Sequence, residues 1–199
     1  LGKLSTLVLF SVLARHLGVA DFGVFSFGIG LGLLLASFAA LGLDSRLVQL
    51  AGLDPESLPD RLASLLAIRL TLATVVVVGT AVVLVVIPDR PGGPTPALLL
   101  LVAAGCADTL VEAFRAAAIS RHVQTGPAVV LVLQRLAALG LVLLALLLGG
   151  GLVAMAAAYL AASVLGVLLM AVTAARRAGV RPRLSGMSRP HAVDFARSV

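Results

Sequence analysis

Arg69, Asp108, Glu112 and Arg135 are charged residues set inside long apolar runs, and their placement is what bears on chemistry in this 199-residue chain. A charge at membrane depth costs on the order of 3 kcal/mol on insertion scales, so such side chains face a protein interior or a water-filled cavity. Asp108, Glu112 and Arg115 recur at i, i+4 and i+7, one stripe of a helix. Arg69, Glu112 and Arg135 each fall about eight residues from the same end of their runs, roughly 12 Å deep and on one level. Asp108 is deeper. Two readings are open. In the first, the set only ties helices together through buried ion pairs, which contribute little net stability. In the second, it lines a hydrophilic cavity in which arginine grips phosphate by paired N–H bonds. Arg115 on its own reads as a residue snorkelling from near a helix end.

Other chemistries lack their residues. Cys106 stands alone inside an apolar run, so there is neither a disulfide framework nor metal-ligand spacing. His16, His122 and His191 fall in separate breaks and the tail, and cannot converge on one site. There is no Gly-rich phosphate loop, no Ser-His-Asp set at one depth and no HExxH pair, so no catalytic residue, cofactor or metal is expected. The net charge of +6 does not point to nucleic acid, because one Tyr and no Trp leave no basic surface interleaved with aromatics.

The elements that must position these charges follow from composition. A content of 60% hydrophobic and 12% charged residues, with a mean hydropathy of +1.14, cannot cover a water-soluble domain. Lipid is the fitting solvent, and about twenty helical residues cross its core of roughly 30 Å. The expected architecture is therefore all-α, a polytopic transmembrane bundle of about six spans: 1–17, 22–43, 62–87, 97–119, 127–148, and a last one from the Gly149-Gly150-Gly151 turn to about 174. Residues 53–61 read as a solvated linker, with a surface helix possible, and 88–96 as a proline-rich break. Residues 175–199 form a basic segment after the bundle.

Arginine distribution sets the orientation. If the tail is cytoplasmic, that side holds Lys3, Arg46, Arg61, Arg121 and six arginines from Arg176 to Arg197, against Arg15 and Arg90 outside. This positive-inside bias puts both ends of the chain in the cytoplasm. Gly28, Gly30 and Gly32, with Gly23 just before them, form a small face of the kind that lets helix backbones approach, or else a hinge.

Two segments carry a resemblance. Leu13-Ala14-Arg15-His16-Leu17-Gly18-Val19-Ala20-Asp21-Phe22-Gly23-Val24-Phe25 and Leu41-Gly42-Leu43-Asp44-Ser45-Arg46-Leu47-Val48-Gln49-Leu50-Ala51 resemble the opening of polysaccharide biosynthesis proteins. These are oligosaccharide-lipid flippases of the multidrug/oligosaccharidyl-lipid/polysaccharide exporter superfamily. The basic residue that the family often has near Gln49 is absent here, and Arg46 is not carried over to that role. The resemblance implies transport of a lipid-diphosphate-linked oligosaccharide across the inner membrane, in contact with membrane lipid and with no bond made or broken. It also implies twelve to fourteen spans in two lobes, so that this chain is the first lobe and its partner is the second lobe of a longer chain. Arg69, Asp108, Glu112 and Arg135 are then the substrate-cavity candidates. The alternatives are a drug or cation exporter of the same superfamily, which a predominantly acidic cavity would favour, a membrane-embedded enzyme, or a structural and assembly role.

Overall fold

The computed structural model describes residues 2–40, 42–86 and 95–180. Among them every regular element is helical: α1 (Gly2–His16), α2 (Val19–Ala40), α3 (Leu43–Leu53), a 3-10 turn (Pro55–Ser57), α4 (Leu58–Val86), α5 (Thr95–Ile119), α6 (Thr125–Leu147) and α7 (Leu152–Arg177). Four stretches are long and apolar enough to cross a membrane: Leu58–Val86, Pro96–Ile119, Thr125–Leu147 and Leu152–Arg177. The chain is a multi-pass, all-α membrane protein. The described apolar stretches of α1 and α2, Leu7–His16 and Val19–Leu35, are shorter.

Several boundaries differ from the sequence expectation, among them the starts of α2 and α6, at Val19 and Thr125 instead of 22 and 127. The run expected to continue as one span to 43 is broken at Gly42, whose φ of 75° lies in the left-handed region that glycine tolerates. A separate helix, α3, starts immediately after it and buries Leu43, Leu47 and Ala51, spaced i, i+4, i+8, while Ser45 and Gln49 remain exposed. The span expected from 62 begins at Leu58 instead, with Pro59 tolerated in its first turn. The last helix passes 174 and runs to Arg177. The proline-rich break from 88 and the tail beyond 180 lie outside the described residues, apart from Thr95 and Pro96, which open α5.

The connection between α3 and α4 is held by polar contacts. The Ser57 hydroxyl donates to the Asp54 carbonyl at 3.0 Å, and Arg61 faces the Asp54 carboxylate at 3.7 Å. Hydrogen bonding from Ser57 keeps the exposed Asp54 carboxyl below the usual carboxylate range.

α5 is the central helix, packed on α7, α2, α4 and α3. Its most apolar window is 67% buried, against 6% for that of α4. The difference has a cause in α4 itself: Leu58, Leu62, Ala63, Ser64, Leu65, Leu66 and Arg69 are buried, and beyond Arg69 the helix leaves the bundle and exposes a valine-rich surface. In lipid that surface is already in its preferred solvent.

The apolar interior is divided in two. One cluster joins α3, the first turns of α4, and Val111, Phe114, Val130, Met170 and Ala174. The other joins Leu9 and Leu13 of α1, Phe25 of α2, Leu101 and Ala104 of α5, Val142 of α6, and Leu152 to Ala162 of α7. Between them, at matched heights on three helices, stand Asp108 and Thr109, Gln134 and Arg135, and Ser163.

Candidate functional site

α2 and α5 cross at the glycines. A Cβ added to Gly105 would meet the Gly32 backbone at 2.7–2.8 Å, and one on Gly28 would meet the Leu101 side chain at 2.6 Å. Gly28 and Gly32, four apart, therefore form the packing face. Gly23 and Gly30 do not belong to it, since a Cβ on either meets nothing within 4 Å. The same close approach brings the α2 residues Leu33 and Ser37 beside the charged stripe of α5 and leaves a cavity of about 200 Å³.

All four sequence candidates line this cavity: Arg69 from α4, Asp108 and Glu112 from α5, and Arg135 from α6. Asp44, in the first turn of α3, joins them. It is the partner of Arg69, whose Nη2 donates to both Asp44 carboxylate oxygens at 2.7 Å. Arg69 thus pairs with neither Asp108 nor Glu112, because α3, absent from the sequence expectation, places an acid closer. Arg69 is completely buried in its side chain while Asp44 is 31% exposed, and the Arg69 Nε and Nη1 have no hydrogen-bond partner.

The second arginine is held differently. Arg135 lies 3.8 Å from Asp108, too far for a hydrogen bond, and its side chain is one-third exposed. Its Nη1 donates a long 3.3 Å bond to the Tyr159 hydroxyl. Tyr159 in turn meets Phe25 edge to face, and Phe25 meets Phe10, so an aromatic chain from α7 through α2 to α1 fixes the ring beneath the guanidinium. Asp108 takes its short hydrogen bond from Gln134 Nε2 at 2.7 Å. Gln134 is buried, and its side chain lies against Gly166 of α7, where a Cβ would come within 2.5 Å of the amide carbon. Glycine at that point makes room for a polar side chain between two helices.

Glu112 is engaged by its neighbour Arg115, Nε to Oε2 at 2.6 Å, so Arg115 does more than snorkel. Both side chains are about 40% exposed, where such a pair stabilises by at most ~1 kcal/mol. The Ser37 and Thr109 hydroxyls donate to the carbonyls of Leu33 and Cys106 on their own helices. Towards the cavity they offer lone pairs. No group of three or more metal-ligating side chains occurs among the described residues.

Sequence reasoning missed Asp44, Gln134 and Tyr159. Asp44 carried a signal, because Leu43, Leu47 and Ala51 give the four-residue period of an amphipathic helix directly after a glycine. Gln134 carried one as a long uncharged polar residue in the middle of an apolar run. Tyr159, near the start of its run, carried none.

In a multi-pass helical membrane protein, charged residues lining a small cavity between helices mark a candidate functional site. The comparison with known families makes this specific. The family model of polysaccharide biosynthesis proteins matches residues 1–191, and the chain belongs to that family, a branch of the multidrug/oligosaccharidyl-lipid/polysaccharide exporter superfamily. No curated protein and no solved structure matches the chain.

Proposed function

We propose that the chain acts in moving a lipid-diphosphate-linked oligosaccharide across the cytoplasmic membrane for polysaccharide biosynthesis, as a transporter and not an enzyme. The observation that carries this reading is the convergence of Arg69 and Arg135, from separate helices, on one cavity between helices long enough to span lipid. A diphosphate-sugar headgroup must shed water to cross roughly 30 Å of hydrocarbon, and guanidinium N–H groups replace that hydration at fixed positions. The isoprenoid tail stays in the bilayer, against faces such as the exposed valines of α4.

In this reading α1 and α2 are also spans, which brings the count to six, and both ends of the bundle's chain lie in the cytoplasm. The bundle is one of two lobes that rock about the substrate, as in transporters built from repeats. The arginine bias supports the orientation.

The test is export of polysaccharide per unit of membrane-inserted protein. Arg135→Lys keeps the charge but loses the planar fork, so export falls, and it falls further in Arg135→Ala and Arg69→Ala. Unchanged export in both alanine variants at normal abundance would end the reading.

A cation or drug exporter of the same superfamily is the second reading. Asp44 favours it, since it raises the acids lining the cavity to three, Asp44, Asp108 and Glu112, against Arg69 and Arg135. Efflux of a lipophilic cationic dye, lost in Asp108→Asn and indifferent to Arg135→Ala, would support that reading over the first.

A further inference from the structure

The two cavity arginines are held to different degrees. Arg69 gives one nitrogen to both Asp44 oxygens at 2.7 Å and its side chain is enclosed. Arg135 is the less committed: it is one-third exposed, stands 3.8 Å from Asp108 and makes a long 3.3 Å bond to Tyr159. An acid so near an arginine closes on it unless its oxygens are engaged elsewhere, because a hydrogen bond between two charged groups is roughly twice as strong as a neutral one. The Asp108 oxygens are engaged elsewhere. Gln134 Nε2 donates to Oδ1 at 2.7 Å, and the buried Ser163 of α7 supplies a second, hydroxyl donor.

Packing alone does not explain Gln134. Its side chain is buried, its Oε1 has no hydrogen-bond partner, and its amide fits only because residue 166 is glycine. An acceptor left unmet in the interior carries its full desolvation penalty. A methionine would fill the same length with no polar atom to satisfy. What the amide offers and a methionine does not is the bond to Asp108. Adjacent positions on a helix point about 100° apart, so Gln134 is sealed against α7 while its neighbour Arg135 meets the cavity.

We propose that Gln134 is a positioning residue: by holding Asp108 with a neutral donor, it keeps that carboxylate from closing on Arg135 and leaves the guanidinium available to a phosphoryl oxygen of the substrate. The inference rests on the lipid-diphosphate reading and adds what keeps its exposed arginine unoccupied. Without such a tether, a substrate oxygen would have to displace the carboxylate before it could bind.

The experiment measures equilibrium binding of farnesyl diphosphate to the full-length protein in nanodiscs of zwitterionic lipid. Four forms are compared: the unchanged protein, Gln134→Met, Asp108→Asn, and the two changes combined. Gln134→Met keeps the length of the side chain and removes the donor, so the released carboxylate closes on Arg135 and binding weakens about 10-fold. In the Asp108→Asn background no ion pair can form, and adding Gln134→Met changes binding by less than about 2-fold. A merely structural role for Gln134 would weaken binding equally in both backgrounds, and that result overturns the proposal, as does unchanged binding in the single variant. Should Gln134→Met fail to fold, Ser163→Ala, which removes the other neutral donor, is read with and without Asp108→Asn in the same way; no weakening there overturns the tether. All of these results leave the transport reading intact. Absence of diphosphate binding to the unchanged protein overturns both.

Discussion

Asp44 and Arg69 are separated by 25 positions of sequence, yet both carboxylate oxygens of the first lie 2.7 Å from one nitrogen of the second. Their exposures are unequal: the Arg69 side chain is fully buried and that of Asp44 is 31% exposed. The two halves of the pair therefore respond differently to mutation. Asp44→Ala strands an enclosed guanidinium and costs about 3 kcal/mol. Arg69→Met leaves a carboxylate that water can reach and costs about 1 kcal/mol. Asp44→Asn combined with Arg69→Met returns close to the unchanged stability, because no charge is left unpaired. Thermal unfolding in detergent checks the order of the three variants. Equal losses for the two single variants would contradict it.

The crossing of α2 and α5 gives a second prediction. Gly105→Ala drives a methyl group into the Gly32 backbone, which cannot rotate aside, and lowers stability by about 1–3 kcal/mol. Gly30→Ala, where a Cβ meets nothing, leaves stability unchanged or raises it by up to ~1 kcal/mol. The pair of melting temperatures separates a helix contact from a general intolerance of side chains on α2 and α5.

Gly166 and Gln134 form a lock of different character. Gly166→Ala pushes on the Gln134 amide carbon and displaces it from Asp108. Gln134→Ala removes the obstruction, so the double variant is more stable than the sum of its parts by about 1 kcal/mol or more. Strict additivity would show that the two side chains do not compete for the same space.

Orientation is open to direct labelling. Gln124, exposed in the turn between α5 and α6, and Gly149, in the turn between α6 and α7, lie at opposite ends of α6. In a background with the buried Cys106 replaced by Ala, a cysteine at Gly149 reacts with an impermeant maleimide from outside intact cells. One at Gln124 reacts only after lysis. The reverse pattern would invert the proposed topology.

These predictions use both what the residues announce and what they hide. The four cavity charges were legible because lipid makes any charge in an apolar run conspicuous, and their shared depth follows from helix rise alone. Pairing was not legible. Depth places Arg69, Glu112 and Arg135 on one level but says nothing about rotation, and rotation decides which acid Arg69 meets. The answer lay in α3, eleven residues that begin within what reads as a continuing span. The left-handed turn at Gly42 marks the start of α3, and a single glycine in an apolar run is a weak signal. The packing role of Gly28 and Gly32 was expected, whereas the idleness of Gly30 and Gly23 depends on which face of α2 meets α5.

The polar belt between the two apolar clusters has a consequence for assembly. Apolar helices in lipid have little to stop them sliding along one another, since a leucine is as comfortable one residue higher or lower. A slip of α6 by one residue, about 1.5 Å along its axis and 100° around it, would carry Gln134 off Asp108 and into an apolar neighbourhood. The belt thus works as a vernier: its hydrogen bonds add modest strength, yet only one alignment of α5, α6 and α7 satisfies them together.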